Sequence, residues 1–258
     1  MDYQAITLDI DDGVGVVTLN RPDVMNALNT QMRAEITHAV KAAEETARCI
    51  VLTGAGRAFC SGQDLGDGGS AATLDLERTL RDEYVPMLKA IFDCRVPTIC
   101  AVNGAAAGAG ANLALAADVV IASDDAFFVQ AFTRIGLIPD AGGTYWLPRQ
   151  IGAARAMGAA LFADKISATQ AADWGMVYEV KPAANFDAHW RARAEALANG
   201  PTATYQHLKT AIRGSFEHTL DEQLAIEAKL QGKCGQTRDF LEGVTAFLEK
   251  RPAKFEGR

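Results

Sequence analysis

Hydrophobic and polar positions follow two spacings along the chain, and their order predicts the class of fold. The segments ITLDI and VGVVTL alternate as strands do and are joined by DDG, which is typical of a hairpin. CIVLTG and VPTICAVNG are continuous apolar runs that end in glycine, as buried strands do. Before the first of these runs, a helical face is formed by Met32, Ile36, Ala39 and Val40. Strands, loops and helices therefore alternate, which indicates an α/β architecture with crossover connections.

The C-terminal part has a different pattern, because three helical segments follow one another with no strand between them. They are TATYQHLKTAIRG, TLDEQLAIEAKLQG and TRDFLEGVTAFLEKR, and the second begins with a capping box formed by Thr219 and Glu222. Another helix is predicted over 74–94. The pattern divides the chain into an α/β core over residues 1–200 and a helical region over residues 201–258.

Composition and charge narrow the possible partners. The 258 residues are 49% hydrophobic and 22% charged, which is typical of a soluble globular protein. Because the net charge is −7 and no stripe of Lys and Arg is present, we expect no nucleic-acid partner. No apolar run is long enough to span a membrane, and the first residues do not resemble a signal peptide. We therefore expect a cytoplasmic protein that does not bind membranes.

Cysteine and histidine spacing gives no sign of a metal site. The five cysteines are odd in number and contain no CxxC pair, and the four histidines lie far apart along the chain. We therefore expect reduced thiols in a cytosolic protein, with no metal and no redox cofactor.

Two glycine-containing loops each follow a buried strand and are candidates for a binding site. GAGRAFCSGQD lacks the GK[ST] of a phosphate-binding loop, and GAGANL places Leu113 where a dinucleotide fingerprint has its third glycine. A helix that begins near Gly108 would direct free N–H groups at whatever lies before it. Paired with an N–H of the first loop, such a donor forms an oxyanion hole. The alternative role of these glycines is close packing of the helix on the sheet.

The stretch GLIPDAGGT contains one carboxylate, Asp140, among apolar and glycine residues. Its neighbours Ile138, Pro139 and Ala141 would raise its pKa by excluding water, whereas a helix starting near Gly142 would lower the pKa through the helix dipole. Asp140 is a candidate general base, and it is also a candidate N-cap for that helix. The sequence allows both roles together.

Four linked segments resemble the crotonase, or enoyl-CoA hydratase/isomerase, superfamily in order and spacing. They are LNRPDVMNALN, LTGAGRAFCSGQDL, AVNGAAAGAGANLALAADVVIAS and GLIPDAGGTYWLPRQIGAARAM. The resemblance covers nearly the whole chain and implies a spiral core of ββα turns with a helical C-terminal region used in trimerisation. It also implies an acyl-CoA thioester substrate, a homotrimer or dimer of trimers, and no cofactor, since CoA enters only as part of the substrate.

The same resemblance implies positions for the catalytic and binding groups. The two oxyanion-hole donors are the backbone N–H groups of Gln63 and Ala109, and Asp140 is the acid/base. The residues implied to contact the substrate are Met25, Ala27, Ser61, Gly62, Asp64, Leu65, Gly108, Asn112, Phe132 and Pro139. Asp64 has a loop or capping role as its alternative, and Phe132 has a plain core role.

Asn112 and Phe132 bear on whether the enzyme hydrates or isomerises its substrate. Family members that hydrate a double bond use two glutamates, and the matching positions here hold Asn112 and Phe132, neither of which is an acid or a base. The chain therefore resembles the isomerases of the superfamily, in particular those that act on ring-epoxidised phenylacetyl-CoA. Hydration with an unusual acid/base set is the alternative, and a non-catalytic acyl-CoA binding subunit is a third hypothesis. Asn112 either orients the substrate or satisfies backbone groups.

Overall fold

The structure, a computed structural model, describes residues 2–66 and 75–258. Its strands, in chain order, are β1 (Ile6–Asp11), β2 (Val14–Leu19), β3 (Cys49–Gly54), β4 (Ala58–Cys60), β5 (Thr98–Val102), β6 (Ala105–Ala107), β7 (Val119–Ser123), β8 (Phe127–Val129), β9 (Ile166–Ser167) and β10 (Glu179–Lys181). Its α-helices are α1 (Thr30–Ala43), α2 (Leu76–Thr79), α3 (Val85–Phe92), α4 (Ala109–Leu115), α5 (Gly143–Ile151), α6 (Ala153–Phe162), α7 (Ala168–Trp174), α8 (Ala183–Ala198), α9 (Thr202–Gly214), α10 (Leu220–Cys234) and α11 (Arg238–Glu249).

The larger of two sheets contains six strands in the order β1-β2-β3-β5-β7-β10. β1 and β2 form the predicted antiparallel hairpin, and its turn residues Asp12 and Gly13 have positive φ angles of 44° and 78°. A two-residue hairpin turn requires such angles. The other neighbouring strands pair in parallel, which needs long crossover connections. The predicted α/β architecture with crossovers is confirmed.

The smaller sheet contains four strands in the order β4-β6-β8-β9, and two of them lie where the sequence pattern predicts only loops. β4 lies within the first glycine-containing loop, β6 lies directly before the GAGANL of the second, and these three-residue strands pair in parallel, with Ala58 opposite Ala105. Three apolar residues are too few to show a period, so the sequence pattern misses both strands. Their pairing places one glycine loop beside the other.

The core covers both faces of the larger sheet. Cys49 and Val51 of β3 belong to the apolar cluster under α8, whereas Ile50 and Leu52 belong to the cluster under α1. This division explains the continuous apolar run of β3, because successive side chains of a strand point to opposite faces. The predicted helical face of α1 is fully buried, and it consists of Met32, Ile36, Ala39 and Val40.

The helix predicted over 74–94 is made of α2 and α3, joined by a π-helical turn at Leu80–Tyr84. Its predicted start at residue 74 lies outside the described residues, and it ends at Phe92. Tyr84, the last residue of the π turn, is buried. The turn brings this side chain to the candidate site.

Helices α9, α10 and α11 follow one another without a strand, as predicted, and Thr219 and Glu222 form the predicted capping box. α9 and α10 bury no side chain, and α11 buries only Asp239 and Ala246. The division between residues 1–200 and 201–258 stays a prediction. None of the helices described is long and apolar enough to cross a bilayer.

Gly110→Ala is expected to lower the free energy of unfolding by roughly 1–3 kcal/mol. A Cβ at this position of α4 would lie 2.3 Å from the Cys60 carbonyl oxygen, because the helix packs directly on β4. Gly158→Ala in α6 is the matched control, since a Cβ there meets nothing within 4 Å. The control should raise stability by up to about 1 kcal/mol, because alanine is the better helix former. Urea unfolding measures both changes, and equal stabilities of the two variants would contradict this close packing.

Candidate active site

Two adjoining cavities bring the glycine loops and the Asp140 turn together. The first has a volume of about 290 Å³, and the predicted site residues on its wall are Ser61, Gly62, Gln63, Leu65, Gly108, Ala109, Phe132 and Asp140. The second has a volume of about 310 Å³ and includes Pro139. Tyr84 and Asp140 line both cavities, so the candidate base stands between the two spaces.

The backbone of Gln63 is oriented by an isolated parallel bridge with Leu28. The Leu28 N–H donates to the Gly62 carbonyl at 2.7 Å, and the Asp64 N–H donates to the Leu28 carbonyl at 3.1 Å. Since the flanking residues use the side that faces Leu28, the N–H of Gln63 points to the opposite side. This N–H therefore remains available next to the cavity.

Ala109 is the first residue of α4, so its N–H has no acceptor within the helix. Gly108 precedes it with φ 53° and ψ −126°, a conformation that glycine tolerates. A Cβ on Gly62 would lie only 3.3 Å from the Ala109 nitrogen, which shows how closely the two loops approach. Within the part of the chain that the structure describes, neither the Gln63 nor the Ala109 amide has a backbone acceptor. Two such donors can stabilise an oxygen that gains negative charge.

The side chain of Gln63 is held by two donors that sequence reasoning missed. Arg33 Nη1 donates to its Oε1 at 2.9 Å, and the Tyr84 hydroxyl donates to the same oxygen at 2.6 Å. Arg33 is buried and pairs with Glu83 at 2.6 Å. Burial alone would raise the pKa of Glu83, but the contacts with Arg33 hold it below its usual value. No motif marks these residues, because the network joins three separate segments.

The carboxyl group of Asp140 does not cap α5. The N-cap is Gly142, with φ 82°, and no side chain accepts a bond from the first turn. The capping role that the sequence allowed is therefore wrong. Asp140 Oδ1 is buried and has no hydrogen-bond partner among the described residues. Burial raises the pKa of Asp140 to about 6, although a hydrogen bond from its own backbone N–H lowers the pKa in part. At neutral pH the side chain is therefore a weakly solvated carboxylate.

Asn112 lies behind Asp140, and it lines neither cavity. Its Nδ2 donates to the Asp140 backbone carbonyl at 2.7 Å, and Gln130 Nε2 donates to its Oδ1 at 2.9 Å. Of the two roles that the sequence left open, the structure shows the one in which the amide satisfies a backbone group. The implied substrate contact of Asn112 is thus replaced by a contact with the candidate base.

Phe132 lies on the wall of the first cavity and is buried. A Cβ on Gly108 would lie 3.8 Å from the Phe132 ring, so the ring packs beside the second glycine loop. Phe132 therefore lies at the cavity, and its contact with the acyl group stays a prediction.

Met25 and Ala27 lie beside the first loop but outside both cavities. The Ser61 N–H donates to the Met25 carbonyl at 3.0 Å, and Arg21 Nη1 donates to the Ala27 carbonyl at 2.6 Å. The same Arg21 atom bonds Asp64 Oδ2 at 2.8 Å. Burial would raise the pKa of Asp64, but Arg21 and a backbone N–H hold it below its usual value. Contacts of Met25 and Ala27 with CoA stay a prediction.

The chain as a whole is similar to known proteins in sequence and in fold. The family model described as enoyl-CoA hydratase/isomerase matches residues 9–258. A Rhodobacter capsulatus protein described as a "probable enoyl-CoA hydratase" is 61% identical over 258 residues, which is 100% of both chains. The 1,2-epoxyphenylacetyl-CoA isomerase of Escherichia coli is 44% identical over 96% of this chain and 97% of its own. The solved enoyl-CoA hydratase of Polaromonas sp. JS666 has a TM-score of 0.93 at 31% identity, covering 98% of this chain and 100% of its own.

The chain belongs to the enoyl-CoA hydratase/isomerase family. The crotonase-like fold implied by the resemblance is confirmed by the family match and by the superposition on a solved member. The protein is an enzyme of hydratase or isomerase type, and the substrates of its family are acyl-CoA thioesters.

Asp140→Asn is expected to raise the melting temperature by a few degrees at about pH 8. Because the folded pKa is raised from 3.8 to about 6, the folded state loses stability as the pH rises through this interval and the buried carboxyl ionises. The amide variant has no such loss, so its advantage should shrink toward about pH 4. Thermal melts across this range measure the effect. Asp125→Asn, at an exposed position, is the control, and its melting temperature should change little. If Asp140→Asn melted below the unmodified protein at about pH 4 and also at about pH 8, the burial of an unpaired Asp140 Oδ1 would be contradicted.

Proposed function

We propose that this enzyme is an acyl-CoA isomerase in which Asp140 moves a proton while the Gln63 and Ala109 amides hold the thioester oxygen. The observation that carries the proposal is that Asp140 is the one carboxylate on the two cavity walls, within the described residues. Hydration needs one group to activate water and another group or relay to handle the α-proton. A double-bond shift needs a single base that takes a proton and returns it elsewhere.

The proposed reaction starts when the thioester carbonyl oxygen accepts hydrogen bonds from the two backbone N–H groups. Asp140 takes a proton from C2 of a 3-enoyl thioester, and the electron pair of the C–H bond delocalises onto the carbonyl oxygen as an enolate. The Gln63 and Ala109 amides stabilise this charge more than they stabilise the neutral substrate. The carboxyl group then returns the proton to C4, so the double bond moves to C2–C3 and no atom is gained or lost. This chemistry uses no metal and no cofactor besides the CoA of the substrate.

Beside this double-bond shift, we propose a second isomerisation at the same site, in phenylacetate catabolism: the ring 1,2-epoxide of phenylacetyl-CoA rearranges to an oxepin thioester as the bond between the two epoxide carbons breaks and no atom is gained or lost. The identity of 44% to the 1,2-epoxyphenylacetyl-CoA isomerase of Escherichia coli supports this substrate. The second cavity supports it as well, since its lining side chains are apolar apart from Tyr84 and Asp140. Phe132 adds an aromatic surface in the first cavity. Such walls suit a compact apolar acyl group.

Hydration of a 2-enoyl-CoA is the alternative function. It is favoured by the Rhodobacter capsulatus relative, which is 61% identical over the whole chain and carries a hydratase description. Asp140 would then need a second group for the water, and no second carboxylate lines either cavity in the described part of the chain.

Asp140→Asn is expected to lower the rate of 3-enoyl-CoA isomerisation by about 10²–10⁴-fold, because an amide cannot accept the proton. Binding of the acyl-CoA should change little, since the oxyanion loops are untouched. The measurement is product analysis with the phenylacetyl-CoA epoxide and with short 3-enoyl-CoA thioesters, beside calorimetric binding of a saturated acyl-CoA. Asp125→Asn is the matched control and should keep full activity.

The same assay separates the two candidate functions. A hydratase would remove the enoyl absorbance of crotonyl-CoA and form a 3-hydroxyacyl product. It would isomerise neither the phenylacetyl-CoA epoxide nor the 3-enoyl-CoA thioesters. Full isomerase activity of Asp140→Asn would remove this residue from the mechanism.

We further propose that the protein assembles as a homotrimer or a dimer of trimers through helices α9–α11. Large apolar side chains of α11 recur on one helical face and are exposed, including 82% of Phe247; they are Phe240, Leu241, Val244, Phe247 and Leu248. Leu220 and Leu224 are exposed on α10, and Leu208 and Ile212 are exposed on α9. Contiguous apolar surface of this kind marks a protein–protein interface.

Phe247→Glu is expected to reduce the molar mass in solution, because it places a charge within the proposed apolar interface. Size-exclusion chromatography with light scattering measures the mass. Thr7→Glu adds the same charge at an exposed position of β1 and should leave the assembly intact. A monomeric unmodified protein, or an unchanged mass in Phe247→Glu, would speak against this interface.

A further inference from the structure

We infer that the buried amide pair of Asn112 and Gln130 is a positioning device for the general base. Asn112 holds the backbone of Asp140 in place, while Oδ1 of the Asp140 carboxylate has no hydrogen-bond partner among the described residues. The inference rests on the proposed role of Asp140 as the base. It makes Asn112 a positioning residue that acts through Asp140, and it makes Gln130 the residue that orients Asn112.

The direction of the hydrogen bonds follows from the chemistry of the groups. The Asp140 carbonyl accepts from the Gly143 N–H at 2.8 Å and from Asn112 Nδ2 at 2.7 Å. A carbonyl oxygen only accepts, so Asn112 must present its NH₂ group to it and turn its Oδ1 the other way. Gln130 Nε2 meets that Oδ1 at 2.9 Å. The chain of donors therefore runs from Gln130 through Asn112 to Asp140.

Both amides are buried, and that of Asn112 packs closely against α5. Asn112 and Gln130 are 0% and 1% exposed, so water does not compete for their hydrogen bonds. A Cβ on Gly143 would lie 2.4 Å from Asn112 Nδ2, which places the amide directly against the first turn of α5. Asn112 is in α4, whose first residue, Ala109, provides one of the proposed oxyanion amides. One short helix thus sets both the oxyanion donor and the base that must act beside it.

The neutral amide of Asn112 suits this position because it adds no charge that would shift the pKa of Asp140. The titratable groups that face the Asp140 region are Tyr84, whose hydroxyl donates to Gln63, and Arg134, whose guanidinium donates to the Ala163 carbonyl. The Arg33–Glu83 ion pair lies behind Gln63. None of these groups bonds the Asp140 carboxylate. Its Oδ1 stays unpaired among the described residues, and burial raises the pKa of Asp140 to about 6.

The test is the pH dependence of kcat/KM in Asn112→Asp. The new side chain has the same shape, but only its protonated form can donate to the Asp140 carbonyl. The unmodified enzyme should gain activity as the pH rises through about 6 and then stay level, because Asp140 must be ionised. In Asn112→Asp the activity should fall again at higher pH as the new carboxyl ionises. The ionised Asp140 raises the pKa of this new carboxyl, which keeps the falling limb above the rising limb.

Two further variants separate positioning from general damage. Asn112→Leu has no donor at any pH, so kcat should drop by about 10–100-fold with no falling limb, whereas KM should change less than about threefold. Gln130→Glu does not touch Asp140, yet its ionised form cannot donate to Asn112 Oδ1. It should therefore show a falling limb at high pH with a smaller loss at low pH. Thermal melts at each pH verify that every variant is folded.

A level profile and full kcat in Asn112→Asp would overturn the inference. If this variant does not fold, the profile of Gln130→Glu decides in the same way. Asp140→Asn is measured beside them. If Asp140→Asn is inactive while Asn112→Asp and Gln130→Glu keep the pH profile of the unmodified enzyme, only the positioning role is refuted. If Asp140→Asn is fully active, the proposed function is refuted.

Discussion

The close contact between the two glycine loops is the constraint on which the site depends. β4 and β6 pair in parallel, and this pairing brings the Gln63 and Ala109 amides to one cavity. The contact leaves no space for side chains, because a Cβ on Gly62 would lie 2.7 Å from the Ala107 carbonyl oxygen. Gly110 is equally confined against Cys60. The glycines are thus required for packing and for the exposure of backbone donors, two roles that the sequence presented as alternatives.

Position and ionisation of the candidate base are controlled by different parts of Asp140. Its backbone carbonyl is held by Gly143 and Asn112, whereas Oδ1 of its carboxylate is buried without a hydrogen-bond partner among the described residues. Burial outweighs the hydrogen bond from the residue's own backbone N–H, and the pKa of Asp140 rises to about 6. A carboxylate that capped the helix would have a lowered pKa and a weaker tendency to accept a proton. The same residue could not serve fully in both roles.

Overall similarity and local chemistry bear on different questions in this family. The chain is 61% identical to a protein with a hydratase description and 44% identical to an isomerase. Both identities are averages over nearly the whole chain. Activity depends on the few groups that reach the substrate. Here the polar side chains on the cavity walls include a single carboxylate among the described residues, and Asn112 is turned toward the backbone of Asp140. The distinction between hydration and isomerisation therefore lies in this small set of side chains.

The sequence by itself determined the α/β architecture, the main helices and strands, the family, and the positions of Gln63, Ala109 and Asp140. Periodicity and linked motifs are local signals, so they can be read along the chain. Only the tertiary structure decided that β4 and β6 pair and bring the glycine loops together, that Tyr84 and Arg33 hold Gln63, and that burial raises the pKa of Asp140. These features arise from contacts between residues far apart in sequence. A local pattern does not predict which distant groups come into contact or how far they exclude water.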